Sequence, residues 1–253
     1  MPRYALKLEY DGTGFVGWQM QDNGLSIQQV LESATAKLNA DAPTPVTVAG
    51  RTDAGVHAEA QVAHVDYPTP WPPEKLREAL NFHMKPHRVV VLAAAEVPND
   101  FSARFSAIGR AYRYRILNRR ARPALQQGQV WHLQHPLDVP AMHAAAQTLL
   151  GRHDFTSFRA AACQAKSPIR TLDRLDVAHT GETIEITVEA RSFLHHQVRN
   201  IVGTLKLIGD GSWPIPHIAE ILAARDRAQA GPTAPAAGLT MLAVRYPVEI
   251  FTV

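Results

Sequence analysis

The sequence predicts a mixed α+β fold composed of two β-α-β-β-α-β halves. Strand-like alternation and helical periodicity succeed each other along the chain, the same order of elements occurs twice, and 253 residues suffice for one large domain or two modest ones. That order defines the ferredoxin-like split unit. No residue-level repeat accompanies the duplication, which is one of pattern only. We expect the halves to be residues 1–105 and 106–253, with the boundary near Ser106.

The first half begins with a strand at residues 3–10, where the residues alternate well enough for a strand. Its first helix opens at Ser26, and Gln29 three residues later completes a capping box. Apolar residues at helical spacing give this helix one buried face: Ile27, Val30, Leu31, Ala34 and Leu38. The remaining elements of this half are strands at 46–49 and 61–67, a helix that starts at Pro72-Pro73-Glu74, and a strand at 87–97.

The second half follows the same order. Its elements are a strand at 109–118, a helix at 139–150, strands at 171–179 and 183–190, a helix at 194–208, a short helix at 217–224 and a final strand at 239–247. A turn around Gly181 joins the two middle strands, and a Gly/Pro/Ala loop at 230–238 leads into the last one.

Composition excludes several classes of protein. The single cysteine, Cys163, rules out an internal disulfide and a multi-cysteine zinc site. The 12 histidines include no H-E-x-x-H motif, so we expect no bound metal. The N-terminus lacks the apolar segment of a signal peptide, and no apolar run is long enough to span a bilayer. We therefore expect a cytoplasmic protein that does not associate with membranes.

The distribution of charge indicates a polyanionic partner. The formal net charge is only +3, but residues 101–137 contain seven arginines and no Asp or Glu. That segment carries +7, so the rest of the chain sums to −4. Such clustering is typical of nucleic-acid-binding surfaces. The alternative is a general preference for arginine over lysine in this chain, which would produce clusters by chance.

The octapeptide G-R-T-D-A-G-V-H at residues 50–57 is the segment that says most about the function of the chain. It lies between two predicted strands, a common location for catalytic residues. Its carboxylate, Asp53, follows Arg51 by two residues and stands between two glycines. Because an adjacent cation favours the ionised form of a carboxylate, we expect Asp53 to be charged and suited to nucleophilic attack. The alternative is an Asx-type turn beside a surface arginine.

A G-x-G-x-x-G string at residues 12–17 raises the possibility of a dinucleotide site. In such sites the third glycine leads directly into a helix whose N-terminus faces the pyrophosphate. Here residues 18–24 have no helical period, and the helix starts only at Ser26. We therefore expect no nucleotide cofactor.

The strand from Arg110 alternates aromatic and basic side chains. Tyr112 and Tyr114 share one face, while Arg113 and Arg115 share the other. Aromatic rings beside guanidinium groups can stack a base and hold phosphates. The alternative is a half-buried strand with the tyrosines in the core and the arginines in solvent.

Four segments together resemble the TruA family of tRNA pseudouridine synthases. The octapeptide at 50–57 is similar to the catalytic loop of that family, and residues 10–19 resemble its Y-D-G-T-x-F-x-G-W-Q string. The family's R-x-Y-R-Y segment is similar to residues 110–114, and its F-L-x-x-x-V-R-x-I-V-G box to residues 193–203. Residues 238–242 resemble a further box, an apolar strand that lines the uracil pocket.

The resemblance implies a role for each matched residue. Asp53 would be the catalytic aspartate, and Tyr112 would contact the target uridine. Arg199 would pair with the aspartate, Arg51 would fill the space left by the displaced base, and Leu242 would line the uracil pocket. The basic residues of the 110–115 strand, Arg110, Arg113 and Arg115, are expected to contact RNA.

The resemblance also implies an architecture and an activity. The two ferredoxin-like halves would share a mainly antiparallel sheet with helices on one side and the active-site cleft between them. The family acts as a homodimer on the tRNA anticodon stem-loop, where it isomerises the uridines at nucleotides 38, 39 and 40 without a cofactor. We therefore predict a tRNA-binding, homodimeric isomerase.

Two other functions remain open on the sequence. A non-catalytic RNA-binding protein could use the same strands and arginines, with Asp53 as a turn residue. A nucleoside or glycoside hydrolase would normally need a second, proton-donating carboxylate. The only acidic residue close to the Asp53 loop is Glu59, just before the next predicted strand.

Overall fold

The computed structural model describes residues 1–251 of the chain. Within these residues it contains ten strands and five α-helices, and most neighbouring strands are antiparallel, which confirms the predicted α+β class. The strands are β1 Arg3–Tyr10, β2 Thr47–Val48, β3 His57–Asp66, β4 Val89–Val97, β5 Gly109–Asn118, β6 Trp131–Leu133, β7 Gly151–Asp154, β8 Ile169–Thr180, β9 Thr183–Ala190 and β10 Leu239–Arg245. The helices are α1 Ile27–Lys37, α2 Pro73–His83, α3 Val139–Gln147, α4 Gln197–Gly209 and α5 His217–Ala224.

The chain divides into two compact units. One comprises Met1–Arg110 together with the chain from Thr240 onward, and the other is Ala111–Leu239. The sequence assigns the last strand to the second half, whereas compactness groups nearly all of β10 with the first. The boundary near Ser106 stays a prediction.

The first unit has the predicted β-α-β-β-α-β order. Strand β1 lies between β4 and β3 and is antiparallel to both. Strand β2 pairs antiparallel with β3 near His64, and β10 pairs parallel with the beginning of β3 at His57. The order β4-β1-β3-β2 is that of a ferredoxin-like sheet. Because β2 uses only one end of the β3 edge, the other end is open to β10.

Helix α1 forms where its capping and apolar pattern predict it. The Ser26 side chain accepts a hydrogen bond from the Gln29 backbone N–H at 3.0 Å, which satisfies one of the free donors of the first turn. The face buried by the helix consists of Ile27, Val30, Leu31, Ala34 and Thr35. Four of these five are residues of the predicted apolar face.

The second unit contains strands in the order β5-β9-β8-β7, with β6 parallel to the end of β5. Strands β8 and β9 form a long antiparallel hairpin closed at Thr180 and Thr183. Helix α3 is capped by Asp138, whose side chain accepts from Ala141 N–H at 2.9 Å. Helix α4 begins three residues later than predicted, because His196 has a left-handed backbone (φ +61°) that interrupts the helical path.

None of the helices in the described part of the chain is both long and apolar enough to cross a membrane.

Candidate active site

The Asp53 loop joins β2 to β3 in the first unit. The Val56 N–H donates to the Asp53 carbonyl oxygen at 3.1 Å and closes a tight turn, in which Gly55 has a φ of +77°. Only glycine adopts such a φ without steric cost. Asp53 is half-buried and Arg51 is exposed. The loop between β2 and β3 thus carries one half-buried carboxylate and, two residues before it, one exposed guanidinium.

Two glycines of the 12–17 segment allow its backbone to pack closely against the Asp53 loop. A Cβ atom on Gly12 would lie 2.2 Å from the Val56 carbonyl oxygen, and one on Gly17 would lie 2.8 Å from the Thr52 carbonyl oxygen. Next to Gly17, the Trp18 N–H donates to that same Thr52 oxygen at 3.0 Å. The G-x-G-x-x-G string therefore serves close backbone packing, and the next helix starts only at Ile27.

Three buried polar side chains anchor the beginning of the loop. Gln61 Nε2 on β3 donates to the Gly50 carbonyl oxygen at 2.8 Å and to the Tyr10 hydroxyl at 3.3 Å. The same hydroxyl lies 2.8 Å from Thr52 Oγ1. Burial raises the pKa of Tyr10 to about 12, although the hydrogen bonds from Thr52 and Gln61 act in the opposite direction. Tyr10 is therefore a neutral hydroxyl at physiological pH.

His57 anchors the other end of the loop. Its Nδ1 accepts from the Gly12 N–H at 3.0 Å and also lies 3.1 Å from Asp11 Oδ1. Because an amide can only donate, Nδ1 acts as the acceptor and makes no hydrogen bond to Asp11. The carboxylate is instead held by Thr13 N–H at 2.9 Å and by Arg88 Nη1 at 2.7 Å. Burial acts to raise the pKa of Asp11, but the hydrogen bonds from Thr13 and Arg88 outweigh it and hold that pKa below its usual value.

Strand β10 brings Leu242 to the same end of the first unit. Thr240 and Met241 pair in parallel with His57 and Ala58, the first residues after the Asp53 loop. Parallel strands start from the same edge, so the beginning of β10 lies beside the end of the loop. Leu242 is half-buried on this strand.

The second unit carries Tyr112 and Tyr114 on β5. Tyr112 is 9% exposed, and its ring meets that of Phe193 at 89° with the centroids 5.2 Å apart. Tyr114 is fully buried and donates to the Pro235 carbonyl oxygen at 2.7 Å. Burial raises the pKa of Tyr114 well above its usual value. Tyr114 is therefore a core residue, whereas Tyr112 lies at the margin of the core.

Arg199 on α4 is braced by the loop at 230–238. Its Nε donates to the Ala234 carbonyl oxygen at 2.8 Å, and the Ala234 N–H donates back to the Arg199 carbonyl oxygen at 3.1 Å. The loop can approach because α4 has a glycine there: a Cβ on Gly203 would lie 1.7 Å from the Pro232 carbonyl oxygen. Strand β5, through Tyr114, and helix α4, through Arg199, thus donate hydrogen bonds to adjacent residues of this loop, Pro235 and Ala234.

The three predicted RNA-contacting arginines have different surroundings. Arg110 is buried, and its Nη2 donates to the carbonyl oxygens of Ala49 and Arg104 at 2.8 and 2.9 Å. Arg113 and Arg115 are half-buried on β5, and Arg113 Nε lies 3.8 Å from a Glu185 carboxylate oxygen. Arg110 thus holds backbone in the first unit, and its predicted contact with RNA stays a prediction, as do those of the other two.

Three residues that shape the site received no role from the sequence. Gln61 donates to the Gly50 carbonyl oxygen of the loop, Thr52 within the loop bonds to Tyr10, and Phe193 packs against Tyr112. Thr52 and Phe193 lie in segments that resemble the family, and Gln61 is an amide at the start of the apolar strand segment at 61–67, where an uncompensated polar group would be costly.

Comparisons with known proteins show the family of the chain. The family model described as tRNA pseudouridine synthase matches residues 7–106 and 145–247, which include Asp53 and Arg199, while Tyr112 lies between the two ranges. The tRNA pseudouridine synthase A of Acidiphilium cryptum is 66% identical over 253 residues, 99% of each chain. That of Paramagnetospirillum magneticum is 60% identical over 97% of this chain and 96% of its own, and that of Gluconobacter oxydans is 55% identical over 98% and 91%. The chain therefore belongs to the tRNA pseudouridine synthase A family, whose enzymes isomerise uridine to pseudouridine.

Proposed function

We propose that this enzyme isomerises the uridines at nucleotides 38, 39 and 40 of the tRNA anticodon stem-loop, with Asp53 as its catalytic carboxylate. The observation that carries the proposal is the fixed Asp53 loop, which stands within a matched family range. It is tied to the sheet at Gly50 by Gln61 and at Thr52 by Tyr10, and the Val56 N–H closes its turn onto Asp53. Rigid placement of a reacting group is a main source of catalytic rate. Family membership also favours the enzyme over the alternative of a non-catalytic RNA-binding protein.

The chemistry suits an ionised carboxylate without a cofactor. The N1–C1′ bond of uridine breaks, the uracil turns, and a C5–C1′ bond forms. The proton lost at C5 is balanced by a proton gained at N1, so no oxidant or reductant takes part. Asp53 can attack C1′ and leave again when C5 attacks, or it can remove the 2′ hydrogen as a proton while the uracil leaves and return it when C5 bonds to C1′. Both routes place the carboxylate against the ribose.

Tyr112 is the residue that we propose to receive the target base. The base must leave its stack, which costs a few kcal/mol, and stacking on an aromatic ring returns ~1–3 kcal/mol. Phe193 supports this role because it meets the Tyr112 ring at a right angle and fixes its orientation. By the resemblance, Arg51, which is exposed, fills the space that the base vacates. Arg199 pairs with the Asp53 carboxylate, and Leu242 lines the uracil pocket.

The partner of the enzyme is tRNA, with Arg113 and Arg115 as the phosphate-binding residues that we favour. We propose a homodimer in the cytoplasm, as the family resemblance implies. Both arginines alternate along β5 with Tyr112, so guanidinium groups and an aromatic ring lie on one strand.

The decisive test uses tRNA labelled with tritium at C5 of uridine. Wild-type enzyme should release the label, and Asp53→Asn should abolish release while tRNA affinity stays within about twofold, because the substitution preserves shape. Asp22→Asn, which alters an exposed carboxylate of the same unit, is the matched control and should retain turnover. Release of free uracil would instead support a hydrolase, and tRNA binding without any release would support a non-catalytic protein.

A further inference from the structure

Gln61 is a wholly buried polar side chain on a strand whose neighbouring residues are mostly apolar and buried. Each hydrogen of its amide group has an acceptor: one points to the Gly50 carbonyl oxygen at 2.8 Å and the other to the Tyr10 hydroxyl at 3.3 Å. Its Oε1 accepts from the Val62 N–H at 3.1 Å. The amide is thus fully satisfied and has a single orientation.

The Tyr10 hydroxyl links Gln61 to the loop. Its oxygen accepts from Gln61 Nε2, and it shares a second hydrogen bond of 2.8 Å with Thr52 Oγ1, in which either hydroxyl can be the donor. Tyr10 is 3% exposed and Thr52 is 7% exposed, so water does not compete for the chain of hydrogen bonds. The burial that raises the pKa of Tyr10 keeps this hydroxyl protonated across the neutral pH range.

The chain ends on the catalytic loop itself. Gly50 begins the loop, and Thr52 directly precedes Asp53, so the two anchors flank Arg51. The backbone of Thr52 is held as well, since its carbonyl oxygen accepts from Trp18 N–H. An apolar residue could fill the same volume at position 61, but it could not connect strands β1 and β3 to this loop.

We propose that Gln61, Tyr10 and Thr52 form a positioning relay, a chain of hydrogen bonds that sets the placement of the Asp53 carboxylate without touching RNA. The inference rests on the proposed catalytic role of Asp53. It predicts a specific kinetic effect, because misplacement of a reacting group by 1 Å can cost on the order of 10²-fold in rate. Substrate affinity should not change, because all three side chains are buried.

The test compares substitutions that delete one oxygen each. Thr52→Val and Tyr10→Phe should lower kcat for label release on the order of 10- to 100-fold, with KM for tRNA within about twofold. Thr52→Ser keeps the hydroxyl and should restore kcat to within about threefold of wild type. Gln61→Leu removes both amide donors at once and should show a loss at least as large as either single-oxygen variant.

Matched controls remove hydroxyl groups that donate to backbone carbonyl oxygens elsewhere in the same unit. Thr35 is fully buried and donates to the Thr44 carbonyl oxygen, and Tyr246 donates to the Ala103 carbonyl oxygen. Thr35→Val and Tyr246→Phe should lower the melting temperature but leave kcat unchanged when assayed well below melting. A merely structural role for the relay would give the same result for Thr52→Val and Tyr10→Phe.

Failure of this inference is distinguishable from failure of the proposed function. If wild type releases the label and Asp53→Asn does not, while folded Thr52→Val and Tyr10→Phe keep kcat within about twofold, the relay does not position Asp53. If Asp53→Asn itself releases the label at the wild-type rate, the proposed function is wrong.

Discussion

A substitution at Gly12 should displace the Asp53 loop without altering any residue of the loop itself. A Cβ at this position would lie 2.2 Å from the Val56 carbonyl oxygen. Carbon and carbonyl oxygen normally stay about 3.3 Å apart, so in Gly12→Ala that carbonyl must retreat by about 1.1 Å. Because the Val56 N–H closes the turn onto Asp53, the displacement passes directly to the carboxylate that we propose to be catalytic.

The size of the effect follows from that displacement. A misplacement of about 1 Å costs on the order of 10²-fold in rate, which is about 2.7 kcal/mol of activation free energy. The overpacked alanine should also reduce the free energy of unfolding by about 1–3 kcal/mol. We expect kcat for label release to fall about 100-fold in Gly12→Ala, while tRNA affinity stays near the wild-type value.

Gly14→Ala is the matched control two residues away. Gly14 has a φ of +82°, and no atom lies within 4 Å of its Cβ position. Alanine there is strained by about 1–2 kcal/mol but pushes on nothing. Gly14→Ala should therefore lose stability similarly and keep kcat. Equal kcat values for the two variants in single-turnover label release would refute the reasoning that packing of Gly12 places the loop.

Two other predictions concern charge. Replacement of Arg113 and Arg115 by glutamine should weaken tRNA binding. It should also reduce the steepness with which the logarithm of the tRNA association constant falls with the logarithm of the salt concentration, by about 0.7–0.9 for each phosphate that is no longer neutralised. An unchanged slope in a salt titration would show that neither arginine touches phosphate. Because the pKa of Asp11 is lower in the folded protein than its usual value, its contribution to stability is present above about pH 4 and is lost as pH falls through the folded-state pKa. Asp11→Asn should therefore flatten the acid-induced loss of stability in urea unfolding measured across pH, and an identical pH profile would contradict this.

The sequence predicted elements most accurately where local signals suffice. The bounds of β5, β9 and α5 match their predicted ranges, because alternation, helical period and turn residues all lie within the element. The strands β6 and β7 were missed. Residues Gly151–Asp154 are polar and do not alternate, and they form a strand only because they pair with Ile169–Leu172 of β8.

The start of β3 shows the same limit. The prediction begins at residue 61, whereas the strand begins at His57. The additional residues are extended because Ala58 pairs with Tyr10 on one side and with Met241 on the other. Neither partner is near in sequence, so no local pattern could reveal the pairing.

By itself the sequence determined the α+β class, the ferredoxin-like order and the motif that marks Asp53, because these depend on residue types at short spacing. Tertiary structure alone decided which polar groups hold that motif in place. Tyr10 meets Thr52 across 42 positions and Gln61 across 51, and Arg199 meets Ala234 across 35. Such bonds form between residues that only the folded backbone brings together, and their strength depends on burial, which excludes water as a competing partner.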